Sequence, residues 1–293
     1  MRIVHAISGI EARNGGPTSA LIGLASAQKR AGLDVRVVAT WQDPDAFRSA
    51  EKLASRGLAT KMIGPAVGKL SRHRDLALAV RQEVSCADVV HVHAMWEQIQ
   101  HEACRAAYQA GKPYVITPHG MLDTWNMTKS RFAKQACLML RVRRNLQRAA
   151  RLHFTTTIER DWVSRLKLRA PAIVEPLGLD AMEYKSFPPP GAFRQKHKEI
   201  GDRPIILFLG RIHYGKGLEL LVPAMAKLAR RDALLLIAGP DSENYGAVIR
   251  DTVAKHGVAE RVIFTGMVAG EERLAVLHDA DLLALPSFHE NFG

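Results

Sequence analysis

The chain has 293 residues, 47% of them hydrophobic and 24% charged, with a formal charge of +12. That length suits one large domain or two ordinary ones, and the composition is that of a soluble globular protein rather than a disordered one. The charge is lopsided. Lys and Arg number 27 against 16 Asp and Glu up to Glu183, but 14 against 13 from Tyr184 onward. A basic first part beside a near-neutral second part points to a large or membrane-like anionic partner for the first. The three cysteines, Cys86, Cys104 and Cys137, show neither metal spacing nor an even-numbered framework, which fits a reducing, cytoplasmic setting. Met1 to Gly9 is too soon interrupted to be a signal peptide and reads as a first strand. No apolar run reaches the ~20 residues of a membrane span, so the chain is expected to be soluble or peripheral.

Strand-like Ile3 to Ile7 leads into a loop holding Asn14-Gly15-Gly16-Pro17, and a helix follows from Thr18 to Ala31. Gly32 stops it, and Asp34 to Thr40 is the next strand. This βαβ opening sets a glycine loop over a helix N-terminus, a place for an anion or a sugar. It is not Gly-x-Gly-x-x-Gly, and no acidic residue is suitably placed for a dinucleotide ribose. A simple tight turn is the plainer reading. Asp88 to Ala94 is another strand, Gln98 to Ala110 a helix, and Pro113 to Thr117 a strand that ends in Pro118-His119-Gly120. His119 therefore stands just past the carboxyl end of a strand, where either a structural or a substrate-facing histidine is found.

From Thr124 to Ile158 there is no acidic residue before Glu159, while Lys129, Arg131, Lys134, Arg141, Arg143, Arg144, Arg148 and Arg151 all fall there. Lys134, Arg141 and Arg148 repeat every seven residues, so a helix gathers them on adjoining faces, with Phe132, Leu138, Met139, Val142 and Leu146 between them. Such a helix suits anionic lipid head groups; a solvated helix face is the ordinary alternative. Nucleic acid fits less well, because no reading module accompanies the charge. Leu152 to Thr155 and Ala172 to Val174 are further strands. Tyr184 to Arg203, with Pro188-Pro189-Pro190-Gly191, reads as a linker, giving domains at 1–183 and 204–293.

The second domain opens on an unbroken apolar strand, Ile205 to Leu209, that breaks at Gly210 and restarts as a helix at Leu218. Arg211 and Lys216 sit in the loop between. Cations there oppose a helix macrodipole that is already positive at that end, so an anion is expected to complete the site. Leu234 to Ala238, a helix from Tyr245 to His256, Val262 to Thr265, a helix from Glu271 to Asp279 and a strand from Leu282 to Leu285 follow. Strand and helix alternate throughout, as in two doubly wound parallel α/β domains.

In this order the motifs resemble the glycosyltransferases of the GT-B fold, group 1, the large retaining class. The resemblance rests on Gly210-Arg211-x4-Lys216-Gly217 and Pro286-Ser287-x-x-Glu290-x-Phe292-Gly293. Supporting it are Gly15-Gly16, His119-Gly120, Pro176-x-Gly178-x-Asp180 and Phe264-x-Gly266. It implies two Rossmann-like domains facing a cleft, the first on the acceptor side and the second holding a nucleotide-diphosphate sugar. By the same resemblance Arg211 and Lys216 contact the leaving diphosphate and Glu290 approaches the donor sugar. His119 borders the transferred sugar. Gly15, Gly16, Gly210, Asn291, Phe292 and Gly293 shape the donor site. Apart from the resemblance, the charge pattern leads one to expect that Lys129, Arg131, Lys134, Arg141, Arg144 and Arg148 form a membrane or acceptor patch. No metal and no cofactor are implied; the nucleotide sugar is a co-substrate, and the acceptor is lipid-linked or polysaccharide, for cell-surface polysaccharide synthesis at the cytoplasmic face of the inner membrane.

Two departures stand out. Leu177 occupies a position where the family often has Asn, and the second glutamate of the family's Glu-x7-Glu motif would fall after Gly293. A second domain of ~90 residues is short against typical domains of ~100–150, so an incomplete domain is expected, with Leu282 to Leu285 left uncovered. A truncated, non-catalytic remnant that binds nucleotide or membrane is therefore an alternative. So is a GT-B-fold sugar-nucleotide epimerase or a phosphorylase.

Overall fold

The computed structural model describes residues 1–11, 15–123, 127, 131–179, 184–241, 244–288 and 290–292. The chain divides into two compact units, Met1–Leu179 with Asn291–Gly293, and Asp180–Glu290.

The first unit is built on a seven-stranded parallel sheet of β1 (Arg2–Ile7), β2 (Asp34–Thr40), β3 (Ala59–Ile63), β4 (Val89–His93), β5 (Tyr114–Thr117), β6 (Arg151–Phe154) and β7 (Ala172–Val174). The strands run in the order β3-β2-β1-β4-β5-β6-β7. Its helices are α1 (Gly16–Arg30), α2 (Ala46–Ser55), α3 (Leu76–Ser85), α4 (Gln98–Gln109), α5 (Arg131–Cys137), α6 (Arg143–Arg148) and α7 (Thr157–Ser164), with a π-helical turn, Leu138–Val142, between α5 and α6. One face packs Ile7, Val35, Val37 and Ala39 against Leu21 and Ala25 of α1 and Leu53 of α2. The other packs Val4, Val38, Val90, Val92 and Ile116 against α3, α4 and α6. Right-handed crossovers force this division, because the chain steps outward from β1 to β3 and then returns to β4 to step the other way. The order reverses between β1 and β4, and their carboxyl ends frame a crevice of the kind in which open α/β sheets bind ligands.

The second unit repeats the plan on four parallel strands, β8 (Ile205–Leu209), β9 (Leu234–Ala238), β10 (Val262–Gly266) and β11 (Leu282–Leu283), ordered β10-β9-β8-β11. Its helices are α8 (Ala192–Lys196), α9 (Leu218–Lys227), α10 (Tyr245–Lys255) and α11 (Glu271–Asp279). Central β9 is buried along its whole length, which explains its unbroken Leu-Leu-Leu-Ile-Ala run. The order reverses between β8 and β11. On β11, Leu282 and Leu283 are about half exposed.

Packing begins soon after the triple proline. Phe193 and Ile200, within the stretch read as a linker, are fully buried in the core of the second unit. Asp279 at the end of α11 accepts hydrogen bonds from the backbone N–H groups of Gly191 (2.7 Å), Phe193 (2.9 Å) and Arg194 (3.1 Å), meeting the orphan donors of α8.

Candidate active site

In the second unit the two strongest sequence motifs come together at the switch between β8 and β11. After β8 the chain crosses Gly210 and a 3₁₀ turn, Tyr214–Lys216, and enters α9 through Gly217. After β11 it runs through Pro286 to Glu290 against that turn. The Phe288 N–H donates to the Gly215 carbonyl (3.1 Å). The Lys216 ammonium pairs with a Glu290 carboxylate oxygen, which also accepts from the Ser287 hydroxyl at 2.7 Å. Arg211 is exposed and forms no ion pair among the described residues. The loop thus presents one free guanidinium and one ammonium held in register by a carboxylate, beside the start of a helix.

Gly210 lies under the same loop, its N–H bonded to the Ala238 carbonyl (2.9 Å) and its carbonyl so near Gly239 that a Cβ there would stand 1.8 Å from it. Phe292 is half exposed, and Gly293 falls outside the described residues. Asn291 takes a part that the motif did not announce. It belongs to the first unit, where its amide donates to the Thr155 hydroxyl at 2.9 Å.

In the first unit His119 and Gly120 follow β5, both with positive φ, 54° and 74°. A left-handed histidine persists only where its surroundings hold it. Glu159 does so. Its buried carboxylate accepts from the backbone N–H of Gly120 (2.5 Å) and from both the N–H (2.8 Å) and the hydroxyl (3.0 Å) of Thr155. The Thr156 hydroxyl caps α7 by accepting from the Glu159 N–H at 3.1 Å. Glu159 was not singled out from the sequence, although Thr156-x-x-Glu159 is a helix-start signature that marks it. Gly15 precedes α1 with φ 76°, whereas Gly16 begins the helix in open space.

Glu97 is a further residue, one that no sequence motif marks. It precedes α4 at the carboxyl end of β4, beside the β1–β4 crevice. Burial pushes its carboxyl up, against a hydrogen bond from Ser8 and the nearby charge of Arg141.

Histidines crowd this end of the sheet. His5, His91 and His93 are buried within β1 and β4, and His119 and His153 adjoin them. Burial lowers His5 to about 4, and burial reinforced by the neighbouring His153 lowers His119 to about 3. His91 and His93 are also held well down, by burial first and by their histidine neighbours second. In an unfolded chain histidine titrates near 6.5, so below that pH the unfolded state binds more protons than the folded one. Stability is therefore fully present above pH ~6.5 and drains away as pH falls toward the folded values, at up to ~1.4 kcal/mol per pH unit for each histidine. We expect the melting temperature to drop steeply between pH 7 and pH 5 in scanning calorimetry. A melting temperature that stays level across that window would contradict the burial of these groups as neutral imidazoles.

The basic stretch does not form one face. The π-helical turn at Leu138–Val142 inserts an extra residue and breaks the seven-residue repeat. Arg141 turns inward, donating to the Trp96 carbonyl (2.7 Å) and to Oε1 of Gln98 (2.8 Å), so it is withdrawn from the expected patch. Arg148 lies over the Tyr108 ring, 3.9 Å from its centroid, and Lys134 over Trp96 at 5.8 Å. Arg144 is exposed. Lys129 and the Arg131 side chain lie outside the described residues. Of the apolar positions, Leu138, Val142 and Leu146 enter the core, while Phe132 (87%), Leu140 (84%) and Met139 (78%) are almost wholly exposed.

Residues 15–178 match the family described as glycosyl transferase 4-like domain, and residues 191–293 match glycosyl transferases group 1. The chain belongs to the group 1 glycosyltransferases. Among curated relatives, it is 31% identical over 220 residues to the 2-deoxystreptamine glucosyltransferase of Streptomyces kanamyceticus, covering 71% of this chain and 55% of that one. It is 24% identical over 301 aligned residues to the GDP-mannose:cellobiosyl-diphosphopolyprenol alpha-mannosyltransferase of Xanthomonas oryzae, covering all of this chain and 74% of that one. Among solved structures, Anabaena Alr3699/HepE in complex with UDP and glucose superposes with a TM-score of 0.79 at 19% identity, over all of this chain and 76% of that one. The group 1 fold, GT-B, is thereby shown. The chain spans between about a quarter and about half the length of the first three curated relatives.

Proposed function

We propose that this group 1 glycosyltransferase moves a sugar from a nucleotide-diphosphate sugar to a lipid-linked or polysaccharide acceptor, with retention of anomeric configuration and without a metal ion. The observation that carries the reading is the apposition of the Arg211–Lys216 loop with Pro286–Glu290 at the β8–β11 switch. Breaking the anomeric C–O bond leaves negative charge on the diphosphate, and the preorganised cations of that loop stabilise it as it develops. Glu290, fixed by Lys216 and Ser287, is placed to accept hydrogen bonds from donor sugar hydroxyls. On the first unit the β1–β4 crevice, with Glu97 and the Gly15 loop, serves the acceptor, and His119 offers a hydrogen-bond acceptor to a substrate hydroxyl.

The test incubates the full chain with UDP-, GDP- and ADP-sugars and a polyprenyl-linked acceptor, with and without EDTA, and follows diphosphate release and the product's anomeric configuration. Transfer that survives EDTA and retains configuration supports the reading. Binding of a nucleotide without transfer would leave a non-catalytic binding protein instead.

A lipid-linked acceptor draws the enzyme to a membrane surface, and Phe132, Met139 and Leu140 supply the apolar contact there, with Arg144 as an exposed cation nearby. Among the described residues no helix is long and apolar enough to cross a membrane, so the proposed association is peripheral. Burying three such side chains in the interface is worth several kcal/mol by area. A Phe132→Ser, Met139→Ser, Leu140→Ser variant is expected to lose at least about tenfold in sedimentation with anionic vesicles, with its melting temperature unchanged. Equal binding by the variant would remove this face from the membrane contact.

A further inference from the structure

Five histidines of the first unit are not merely crowded; they are strung into two hydrogen-bonded chains. His5 and His91 are paired across β1 and β4, and His93 and Thr117 across β4 and β5. Side chains two residues apart share a face, so His5, His91, His93 and Thr117 all project to the face that carries α1. In the first chain, His5 Nε2 meets Gln28 Oε1 at 2.7 Å, His5 Nδ1 meets His93 Nε2 at 3.0 Å, and His93 Nδ1 meets His119 Nε2 at 3.1 Å. In the second, His91 Nε2 meets the Thr117 hydroxyl at 2.7 Å, that hydroxyl meets His153 Nδ1 at 2.8 Å, and His153 Nε2 meets the Glu175 carbonyl at 2.9 Å.

A neutral imidazole has one N–H and one lone pair, so each chain has a direction once one end is set. The second ends on a backbone carbonyl, which only accepts. His153 therefore donates from Nε2, its Nδ1 accepts from the Thr117 hydroxyl, and that hydroxyl accepts from His91 Nε2. The first ends on the amide oxygen of Gln28, which likewise only accepts. His5 must then donate from Nε2 and accept at Nδ1, His93 must do the same, and His119 must donate from Nε2 to His93. Its own Nδ1, which makes no hydrogen bond with any described residue, keeps a lone pair.

We propose that His5 and His93 are positioning residues, anchored on Gln28, that hold His119 in its Nε2–H tautomer and so present Nδ1 as an acceptor for a substrate hydroxyl. The tautomer rests on the hydrogen-bond geometry alone; that the hydroxyl belongs to a transferred sugar rests on the transferase reading. The chain orients a proton and does not conduct one, because it stops at an amide that cannot pass a proton on. Nor is metal ligation the better account, although nitrogens of His5, His91 and His93 lie within 4.8 Å of one another. Both nitrogens of His5 and both of His93 are already committed to hydrogen bonds. Burial, which keeps these imidazoles neutral at neutral pH, agrees with this arrangement.

Long-range ¹H–¹⁵N spectra of the full chain, labelled in histidine and assigned with single His→Gln variants, report directly which ring nitrogen carries the proton. The expected result is an unprotonated Nδ1 and a protonated Nε2 at His119. Gln28 is half-buried near the end of α1, so Gln28→Lys replaces the acceptor by a side chain that only donates. It should reverse every bond of the first chain and move the His119 proton to Nδ1, while the His91–Thr117–His153 chain stays as it was. Gln28→Met, which offers no comparable acceptor, should give mixed tautomers if the lysine variant fails to fold. With donor and acceptor supplied, Gln28→Lys should lower kcat/KM about tenfold at an unchanged melting temperature, the loss of one correctly oriented hydrogen bond. A protonated Nδ1 in the unaltered chain, or a His119 tautomer indifferent to both substitutions, overturns the proposal. The expected spectra in a chain that transfers no sugar would remove the transferase reading and leave the tautomer assignment standing.

Discussion

An Arg211→Ala, Lys216→Ala double variant is expected to lose about 10³-fold or more in kcat/KM for sugar transfer and to lose the thermal stabilisation that a nucleoside diphosphate gives the unaltered chain. Removing one preorganised contact to a developing charge costs about 10²–10³-fold, and two contacts to one leaving group do not simply multiply. Little of the loss should come from unfolding. Arg211 is exposed and carries no ion pair among the described residues, and the Lys216–Glu290 pair is partly exposed, so neither contributes much to stability. Thermal-shift titration with UDP, GDP, ADP and inorganic phosphate, run beside the steady-state assay, separates binding from turnover. A double variant that still transfers sugar at the original rate would take the diphosphate away from this loop.

Gly217→Val is expected to destabilise the second unit by at least ~3 kcal/mol and to abolish nucleotide binding with it. Gly217 enters α9 with φ 68°, and a Cβ built there would stand 2.1 Å from the Pro286 carbonyl oxygen, a rigid backbone atom. Left-handed backbone alone costs a substituted residue ~1–2 kcal/mol. The clash adds more, because relief means separating the Lys216 turn from Pro286 to Glu290, the contact on which the proposed donor site depends. Urea unfolding with probes in each unit tests this, with Gly16→Ala as its counterpart. At Gly16 a Cβ meets nothing within 4 Å at the first position of α1, so that change should be neutral or slightly stabilising. Equal stability of the Gly217→Val and unaltered chains would show that the two motifs do not pack as described.

The parallel α/β plan was legible because its strands are written in period and length. Ile205 to Leu209 and Leu234 to Ala238 are apolar throughout, since both faces of a parallel sheet are covered, and Leu218, Leu221, Val222 and Met225 restart at helical spacing. The stretch from Trp41 to Ala87 was not resolved into elements. There α2 buries only Ala46 and Leu53, and edge strand β3 is fully buried only at Ile63, so neither leaves a continuous apolar signal. The basic helix misled for a local reason. Periodicity assumes an uninterrupted α-helix, and Arg141 lies in a π-helical turn that interrupts it, donating from there to the Trp96 carbonyl and Gln98 Oε1.

The order and type of the strands, the two glycine-bearing loops at their carboxyl ends and the membership of the group 1 glycosyltransferases were determined by the sequence itself, because hydrophobic period and short motifs are local properties. Which motifs touch was decided only by tertiary structure. Lys216 meets Glu290 across 74 residues, and His5 meets His93 across 88, because parallel strands set distant segments side by side. The histidine chains belong to the same class. No spacing in the sequence announces that five imidazoles will lie together, since their partnership depends on strand register and on the one-sided projection of alternate residues. Glu159 reaches Gly120 for the same reason: a buried carboxylate is satisfied wherever the fold gathers N–H donors, and those donors stand just past the ends of two different strands.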